Sequence, residues 1–464
     1  MGRGRRGAVK GVLQEMVSYS PSGTVSVRPY VTVEGQPQPA ERPEGWRALQ
    51  VLVVAVCFLL NMLDGMDVLI LSYIAPALSA DWKVTPDRLG AVFSAGLAGM
   101  ALGGLWLAPM ADRFGRRRLI LAALVLMAAA MAASVVCSNL TEMLMARFVV
   151  GIGIGSVLAS MAALTAEYAP AKYRTFAVGF LQAGYPVGAT ITGFVVAHNL
   201  AIHGWRTMLM GAAVLCALAV PLVWVVLPES IAFLLARQPK GALAMVNRQL
   251  AALGEAPLDE LPPLAHGETD RPGLRALMAE GRASGTVLLW MTIILCFMTL
   301  YFIISWIPKL SIEAGLSPQD GIYAGAIYNI GAFMGTSSVG LVAMRFDLRR
   351  VILAYLVLAA AALVAFGSLH MALPVTLLTA FLIGVFVQGG FNGCYPLAAS
   401  FYPPEVRSAG IGWAMGMGRI GAVIGPMLGG MLLAAKVSLP VIFGVFAVPV
   451  VLGGVLVTFI RIRG

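Results

Sequence analysis

Long apolar runs, separated by short polar segments, repeat along almost the whole chain. A helix needs about 20 predominantly apolar residues to cross a bilayer, and twelve runs reach that length. The pattern therefore predicts an all-α membrane protein with twelve transmembrane helices. The predicted spans are residues 49–79, 88–110, 119–138, 141–165, 175–199, 206–227, 285–308, 320–343, 350–370, 373–398, 407–433 and 438–460.

Two carboxylates interrupt the first of these runs. Asp64 and Asp67 lie near its middle, and their spacing of three places both on one face of a helix. A charged side chain at the bilayer centre costs about 2.5–3.5 kcal/mol on insertion scales, so this face is expected to meet a water-filled cavity or a cation rather than lipid. The pair is a candidate for proton transfer. The alternative is a buried structural pair that neighbouring helices satisfy.

Composition and charge place the whole chain in a membrane. Hydrophobic residues make up 59% of the chain and charged residues 12%, with a mean hydropathy of +0.86, whereas soluble domains carry about 25% charged residues. With the N-terminus in the cytoplasm, 25 of the 32 lysines and arginines fall on the cytoplasmic side. This bias predicts a multi-pass inner-membrane protein with both termini cytoplasmic. The net charge of +10 follows from it and does not indicate a nucleic-acid partner.

The twelve spans divide into two groups of six around a polar, proline-bearing segment. The two groups repeat, because Ala108 and Gly340 begin similar arginine-rich turns at an offset of 232 residues, and Pro76 and Pro308 share that offset. We therefore expect a monomer with two pseudo-symmetric six-helix bundles. The predicted organisation is a cytoplasmic tail (1–47), an N-terminal bundle (48–227), a cytoplasmic linker (228–284), a C-terminal bundle (285–460) and a short tail (461–464).

Enzymatic chemistry finds little support in the sequence. The five cysteines all lie in apolar runs without metal-ligand spacing, which predicts buried free thiols. A Gly-x-x-x-x-Gly-Lys-Ser/Thr loop is missing, so ATP is not the expected energy source. We therefore predict no cofactor, no metal and no enzymatic activity.

The turn after the second span carries the most specific motif. Residues 108–118 read Ala-Pro-Met-Ala-Asp-Arg-Phe-Gly-Arg-Arg-Arg, in which Gly115 permits a sharp bend. The segment resembles the signature of the major facilitator superfamily, which implies the two-bundle fold. In that family its acid and arginines latch the bundles on the cytoplasmic side, and by position Asp112, Arg113 and Arg117 take these roles. The second copy has Met344 in place of the acid, so we expect a weaker latch there.

Further motifs narrow the resemblance. The Asp-Gly-Met-Asp element at 64–67, the glycine-rich run from Arg147 to Gly155, the Pro-Glu-Ser element at 228–230 and Arg419 resemble the aromatic acid:proton symporter family over roughly Trp46 to Arg461. This resemblance implies import of a small aromatic carboxylate, such as 4-hydroxybenzoate, benzoate or gentisate, with protons. Alternatives are a proton-coupled importer of a sugar or aliphatic acid, a drug:proton antiporter and a non-transporting aromatic-acid sensor.

Arg419 is the cation best placed for a carboxylate. It lies about 18 Å into its helix and Asp64 about 22 Å into the first, both measured from the cytoplasmic side. Arg419 is expected to receive the substrate carboxylate bidentately while the aspartates take the proton. The alternative is a structural ion pair of Arg419 with Asp64 or Asp67.

Other polar residues on the presumed cavity helices are candidates as well. Arg147 is a second candidate cation for the substrate. Glu167 is a candidate for proton coupling, or alternatively a partner of Arg113 or Arg174 at the cytoplasmic gate. The remaining substrate candidates are Tyr328, Asn329, Gln388 and Asn392, for which ordinary helix packing is the alternative.

Overall fold

The computed structural model describes residues 45–263, 274–368 and 372–460, and every regular element in these ranges is helical. Residues 1–44 and 461–464, which hold most of the predicted N-terminal tail and all of the C-terminal one, lie outside the described residues. In chain order the helices are α1 (Ala48–Trp82), α2 (Pro86–Phe114), α3 (Arg116–Val136), α4 (Leu140–Tyr168), α5 (Arg174–Val226), α6 (Ile231–Arg237), α7 (Ala242–Leu253), α8 (Leu274–Met278), α9 (Ala283–Glu313), α10 (Pro318–Ala343), α11 (Leu348–Ser368), α12 (Leu373–Phe401), α13 (Pro404–Ala434) and α14 (Leu439–Thr458).

Eleven of the described helices are long and apolar enough to span a membrane, and α5 accounts for two predicted spans. It has 53 residues, about 80 Å at 1.5 Å per residue, whereas the hydrocarbon core is about 30 Å thick. Its backbone breaks at Gly204, which takes φ 75° and ψ 165°. The chain therefore reverses there into a first arm (174–203) and a second arm (205–226), which gives twelve crossings.

The even number of crossings returns the chain to the side where it started. We call that side, where α1 begins and α14 ends, the tail face, and the other side the far face. The most buried spans are α1, α4 and α9, which places them inside the molecule. The segment predicted as a linker holds the three short helices α6, α7 and α8.

The contacts between the bundles follow the internal repeat. Helix α2 packs against α13, and α10 packs against the long helix α5. The 232-residue offset makes α10 the counterpart of α2, and α13 the counterpart of the first arm of α5. The two pairings are therefore equivalent, as expected for two parallel six-helix repeats.

Gly65, between the two acids, sets how closely α1 and α5 approach. A Cβ atom on Gly65 would overlap the backbone carbonyl of Tyr185, and one on Gly188 would overlap the carbonyl of Met62. Small residues allow this close backbone contact in membrane helices. The glycine therefore has a packing role beside the acids.

We expect Gly65→Ala to destabilise the protein by about 1–3 kcal/mol, because the new methyl group meets backbone that cannot rotate away. The midpoint of thermal unfolding in detergent measures this. Gly211→Ala is the matched control, since no atom lies within 4 Å of a Cβ there, and it should leave the midpoint unchanged or raise it. Equal midpoints for both variants would contradict the packing role.

Candidate functional site

Asp64 and Asp67 of α1 lie inside the protein. Asp64 is 4% exposed and Asp67 is 2% exposed. Asp67 accepts a weak hydrogen bond from the Cys216 thiol at 3.4 Å, and Oδ2 of Asp64 is buried without a hydrogen-bond partner. The acids therefore face the helices around them rather than lipid.

A cavity of about 40 Å³ separates Asp67 from a buried arginine of α4. Arg147 is 3% exposed, and it interacts electrostatically with Asp67 across this space. Its Nη2 contacts the Met131 sulfur at 2.9 Å, whereas Nε and Nη1 are buried without partners. A cavity needs about 10–15 Å³ of this volume to hold a water molecule, so the space is large enough for water to bridge the two charges.

Arg419 lies on α13 against aromatic rings. Its Nη1 donates to the Tyr301 hydroxyl at 3.1 Å, and its guanidinium lies 5.6 Å from the centroid of the Phe297 ring. The side chain is half-buried. Over the ranges described, neither aspartate forms an ion pair with it, so the alternative of an Arg419–aspartate pair is wrong in this conformation. The cation that interacts with Asp67 is Arg147.

An aromatic wall adjoins Arg419, and we define it as Phe297, Tyr301, Phe391 and Tyr395. The Phe297 ring lies 4.6 Å from Phe391 and 5.5 Å from Tyr301, and the Phe391 and Tyr395 rings are 5.7 Å apart. None of these four residues is among the substrate candidates predicted from the sequence. Their spacing could have indicated the wall. Helices α9 and α12 each carry two of these aromatic residues four positions apart, which places each pair on one face of its helix.

Tyr301 joins the two halves of the site. Its hydroxyl accepts the hydrogen bond from Arg419, and its side chain also lines the cavity between Asp67 and Arg147. A single side chain, Tyr301, therefore connects Arg419 to the cavity that contains the buried acid Asp67.

The other predicted substrate residues divide into two groups. Asn392 donates to Thr336 at 2.6 Å, and Asn329 donates to Gly325 and to Tyr73, so both amides already join helices. Tyr328 is fully buried with its hydroxyl unpartnered, and Gln388 is half-buried on α12. The hydroxyl of Tyr185 on α5 is also buried without a partner.

Glu167 lies at the tail face, far along α4 from Arg147. It pairs with Arg116 at 2.8 Å, and it also accepts from the Ser230 hydroxyl and the Ala232 amide. The predicted partners Arg113 and Arg174 are therefore wrong. These contacts favour a structural role that joins α3, α4 and α6.

The arginine-rich turn is held by its own bundle and by the linker that follows that bundle. Gly115 takes φ 104°, and a Cβ atom there would overlap the Glu229 carboxylate. That carboxylate accepts from the Arg117 amide at 3.0 Å, and the Arg117 side chain donates to the Trp224 carbonyl. Arg113 is exposed, and the backbone carbonyl of Asp112 accepts from Arg237. Glu229 thus holds the turn at the start of α3.

The two bundles are hydrogen-bonded to each other towards the far face. Ser72 donates to the carbonyls of Ile304 and Ser305 at 2.8 Å, and Ser94 donates to the carbonyl of Val423 at 2.6 Å.

Ring and amide contacts reinforce this closure. The Phe93 and Trp306 rings meet edge to face at 5.4 Å, and Asn329 reaches the Tyr73 hydroxyl at 3.3 Å. The site is therefore covered on its far side.

Comparison with known proteins identifies the family. A model described as the Major Facilitator Superfamily matches residues 57–342 and 289–463. The chain belongs to the major facilitator superfamily. It is thus a transporter of that superfamily rather than an enzyme, and the predicted fold is confirmed.

Individual relatives of this major facilitator chain agree with the narrower resemblance. The gallate transporter of Pseudomonas putida is 31% identical over 407 residues, which cover 87% of this chain and 90% of that protein. The 4-hydroxybenzoate transporter PcaK of Pseudomonas aeruginosa is 33% identical over 399 residues, which cover 84% and 87%. The partially occluded inward open xylose transporter XylE from E. coli superposes with a TM-score of 0.70 at 17% identity, covering 89% of this chain and 98% of that one. The predicted resemblance to aromatic-acid transporters is confirmed.

Proposed function

We propose that this transporter imports a small aromatic carboxylate by proton symport with alternating access, across an inner membrane in which the tail face is cytoplasmic. One observation carries the proposal. Arg419 lies against the aromatic wall and has no carboxylate partner among the residues that the structure describes, and Tyr301 connects it to the cavity that holds Asp67 and Arg147. A site for an aromatic anion and a buried acid are thus neighbours.

Substrate recognition combines charge and ring contacts. The guanidinium of Arg419 offers paired donors that match a carboxylate, and the wall offers faces and edges for an aromatic ring. The relatives support the same substrate class, since they are named as transporters of gallate and of 4-hydroxybenzoate. Tyr328 and Gln388 complete the proposed substrate site.

Proton coupling follows from the charges in the site. In this scheme Asp64 stays protonated throughout. With Asp67 ionised and no substrate, one anion then serves the two cations Arg147 and Arg419. A bound proton neutralises Asp67, and the substrate carboxylate replaces the lost negative charge. The net charge of the site is then the same empty and fully loaded. A proton without substrate leaves the buried Arg147 and the half-buried Arg419 without an anion, which is unfavourable because unpaired buried charges are strongly destabilising.

The conformation of the structure fits the inward-facing state of an alternating-access transporter. The far face is closed by the contacts of Ser72, Ser94 and Tyr73, as expected for an inward-facing state. Opening to the far face requires these bonds to break. We propose that Asp112, Arg113 and Arg117 then latch the bundles at the tail face. In the present conformation Arg117 bonds to Trp224 of the same bundle and to Glu229 of the linker.

Uptake of labelled substrate into proteoliposomes, with internal pH recorded, tests the proposal. We expect 4-hydroxybenzoate to enter against its gradient and to bring protons with it, and glucose to cause neither change. Proton-coupled uptake of a sugar would overturn the substrate class. Binding of 4-hydroxybenzoate without accumulation would instead indicate a sensor.

Tyr301→Phe tests the connection between substrate and proton. The ring is kept, so folding and stacking should persist, but the hydrogen bond to Arg419 is lost. We expect half-saturation to rise about threefold to tenfold, the effect of losing one ordinary hydrogen bond of about 0.5–1.5 kcal/mol, because the substrate still has its own bonds to Arg419. We also expect fewer protons to enter per substrate. Tyr323→Phe, at the far end of α10, is the matched control. An unchanged ratio of protons to substrate in Tyr301→Phe would contradict the coupling role.

A further inference from the structure

A second cavity, of about 630 Å³, lies at the tail face of the C-terminal bundle. Its lining comes from the start of α9, the turn between α12 and α13, and Phe459 just beyond α14. None of the residues assigned to substrate or proton lines it. It therefore needs an explanation apart from the transport site.

Two helix amino ends meet at this cavity. Ser284 and Gly285 are in the first turn of α9, Pro404 begins α13, and all three line the space. Each helix has 31 residues. The unpaired amides and the dipole at a helix amino end favour an anion, so the two ends together favour negative charge in the cavity.

Two arginines add to this field. Arg282 is 9% exposed, its Nη2 donates to the Ala276 carbonyl at 2.9 Å and its Nη1 pairs with Glu280, but its Nε is buried without a partner. Arg407 donates from Nε to the Tyr402 carbonyl at 3.3 Å, and its terminal nitrogens make no hydrogen bond within the described part of the chain. The terminal nitrogens of Arg407 are thus donors that an acceptor ligand in the cavity would satisfy, whereas Arg282 contributes its charge.

The surroundings distinguish the kind of anion. Among the residues that line the cavity, the two arginines exceed the carboxylate of Glu280 by one charge, which suits a monoanion; Glu405, in the first turn of α13, does not line the space. Phe401 and Phe459 also line the space, and Phe459 is 65% exposed at the end of the last span, where an acyl chain would begin.

We infer that this cavity binds the phosphodiester headgroup of an anionic phospholipid, with Arg407 on the phosphate, Arg282 adding its positive charge nearby, and Phe459 beside the glycerol and acyl region. Basic pockets between transmembrane helices on the cytoplasmic side are suited to such headgroups. The tail face is the face that we propose to be cytoplasmic. The lipid site itself does not depend on the substrate or on proton coupling.

Lipid retention by the purified full-length protein tests the inference. The protein is delipidated in detergent, offered phosphatidylglycerol or phosphatidylcholine, and examined by native mass spectrometry. We expect phosphatidylglycerol to be preferred. Its affinity should fall about fivefold in Arg407→Gln and about 25-fold when Arg282→Gln is added, from the typical contribution of each arginine near a lipid surface. Arg407→Lys should retain most of the affinity.

Arg248→Gln is the matched control, because it removes the same charge from an exposed position of α7. It should leave retention unchanged. Equal retention of the two lipids by the wild-type protein, or equal loss in Arg248→Gln and Arg407→Gln, would overturn the inference. If the double variant does not fold, the comparison of Arg407→Gln with Arg407→Lys decides the same question.

Free phosphate is the other source of this chemistry. We expect inorganic phosphate at the concentration of the lipid not to displace phosphatidylglycerol, and Phe459→Ser to weaken lipid binding. Displacement by phosphate, together with unchanged lipid binding in Phe459→Ser, would assign the cavity to a soluble phosphate and overturn the lipid site.

Discussion

Replacing Asp67 with asparagine is expected to abolish accumulation driven by a proton gradient. A gradient of one pH unit supplies about 1.36 kcal/mol per proton, enough for about a tenfold accumulation ratio with one proton per substrate. The variant should reach a ratio of one, because asparagine has nearly the same shape but cannot bind and release a proton. Exchange of substrate at equal pH should persist, since Arg419 and the aromatic wall are unchanged.

Labelled 4-hydroxybenzoate in proteoliposomes with an imposed pH gradient measures both quantities. Asp259→Asn removes an exposed carboxylate of the linker and should accumulate substrate as the wild-type protein does. Asp64→Asn is measured alongside, because Asp64 lies on the same face of α1. Full accumulation in Asp67→Asn together with loss of accumulation in Asp64→Asn would identify Asp64 as the proton carrier and contradict the role given to Asp67.

The fold could be predicted because the bilayer restricts what an apolar run can do. A run of about 20 apolar residues is long enough to cross the bilayer as a helix, and a helix satisfies its own backbone hydrogen bonds there. Hydropathy therefore located the spans. The same constraint placed Asp64 and Asp67 inside the protein. Hydropathy did not reveal that the chain reverses at the single residue Gly204. A short polar loop between spans 175–199 and 206–227 would give nearly the same hydropathy pattern.

The partners of the charges could not be predicted in the same way. Depth along a helix placed Arg419 and Asp64 at similar heights, but depth does not give the direction in which a side chain leaves its helix. That direction is set by packing, such as the contact of Gly65 with the Tyr185 carbonyl. In the structure Asp67 meets Cys216 and faces Arg147.

Arg419→Lys is expected to raise half-saturation for 4-hydroxybenzoate by about 10-fold to 100-fold. Lysine keeps the charge but has no planar fork, so it loses one of two charge-assisted hydrogen bonds, each worth about 1.5–3 kcal/mol. The maximal exchange rate should change less, because the Asp67–Arg147 pair is untouched. Initial rates of exchange over a range of substrate concentrations measure both, and Arg248→Lys controls for an arginine change elsewhere on the chain.

A neutral analogue distinguishes recognition of the carboxylate from general disturbance of the site. The wild-type protein should prefer 4-hydroxybenzoate strongly over 4-hydroxybenzamide, because only the acid offers two anionic acceptors to the guanidinium. In Arg419→Lys the preference should shrink while binding of the amide changes little, since the aromatic wall still holds the ring. An unchanged preference for the acid over the amide in that variant would indicate that Arg147, and not Arg419, binds the substrate carboxylate. Because Arg147 already faces Asp67, substrate and acid would then share one cation, and coupling would be direct competition rather than a connection through Tyr301.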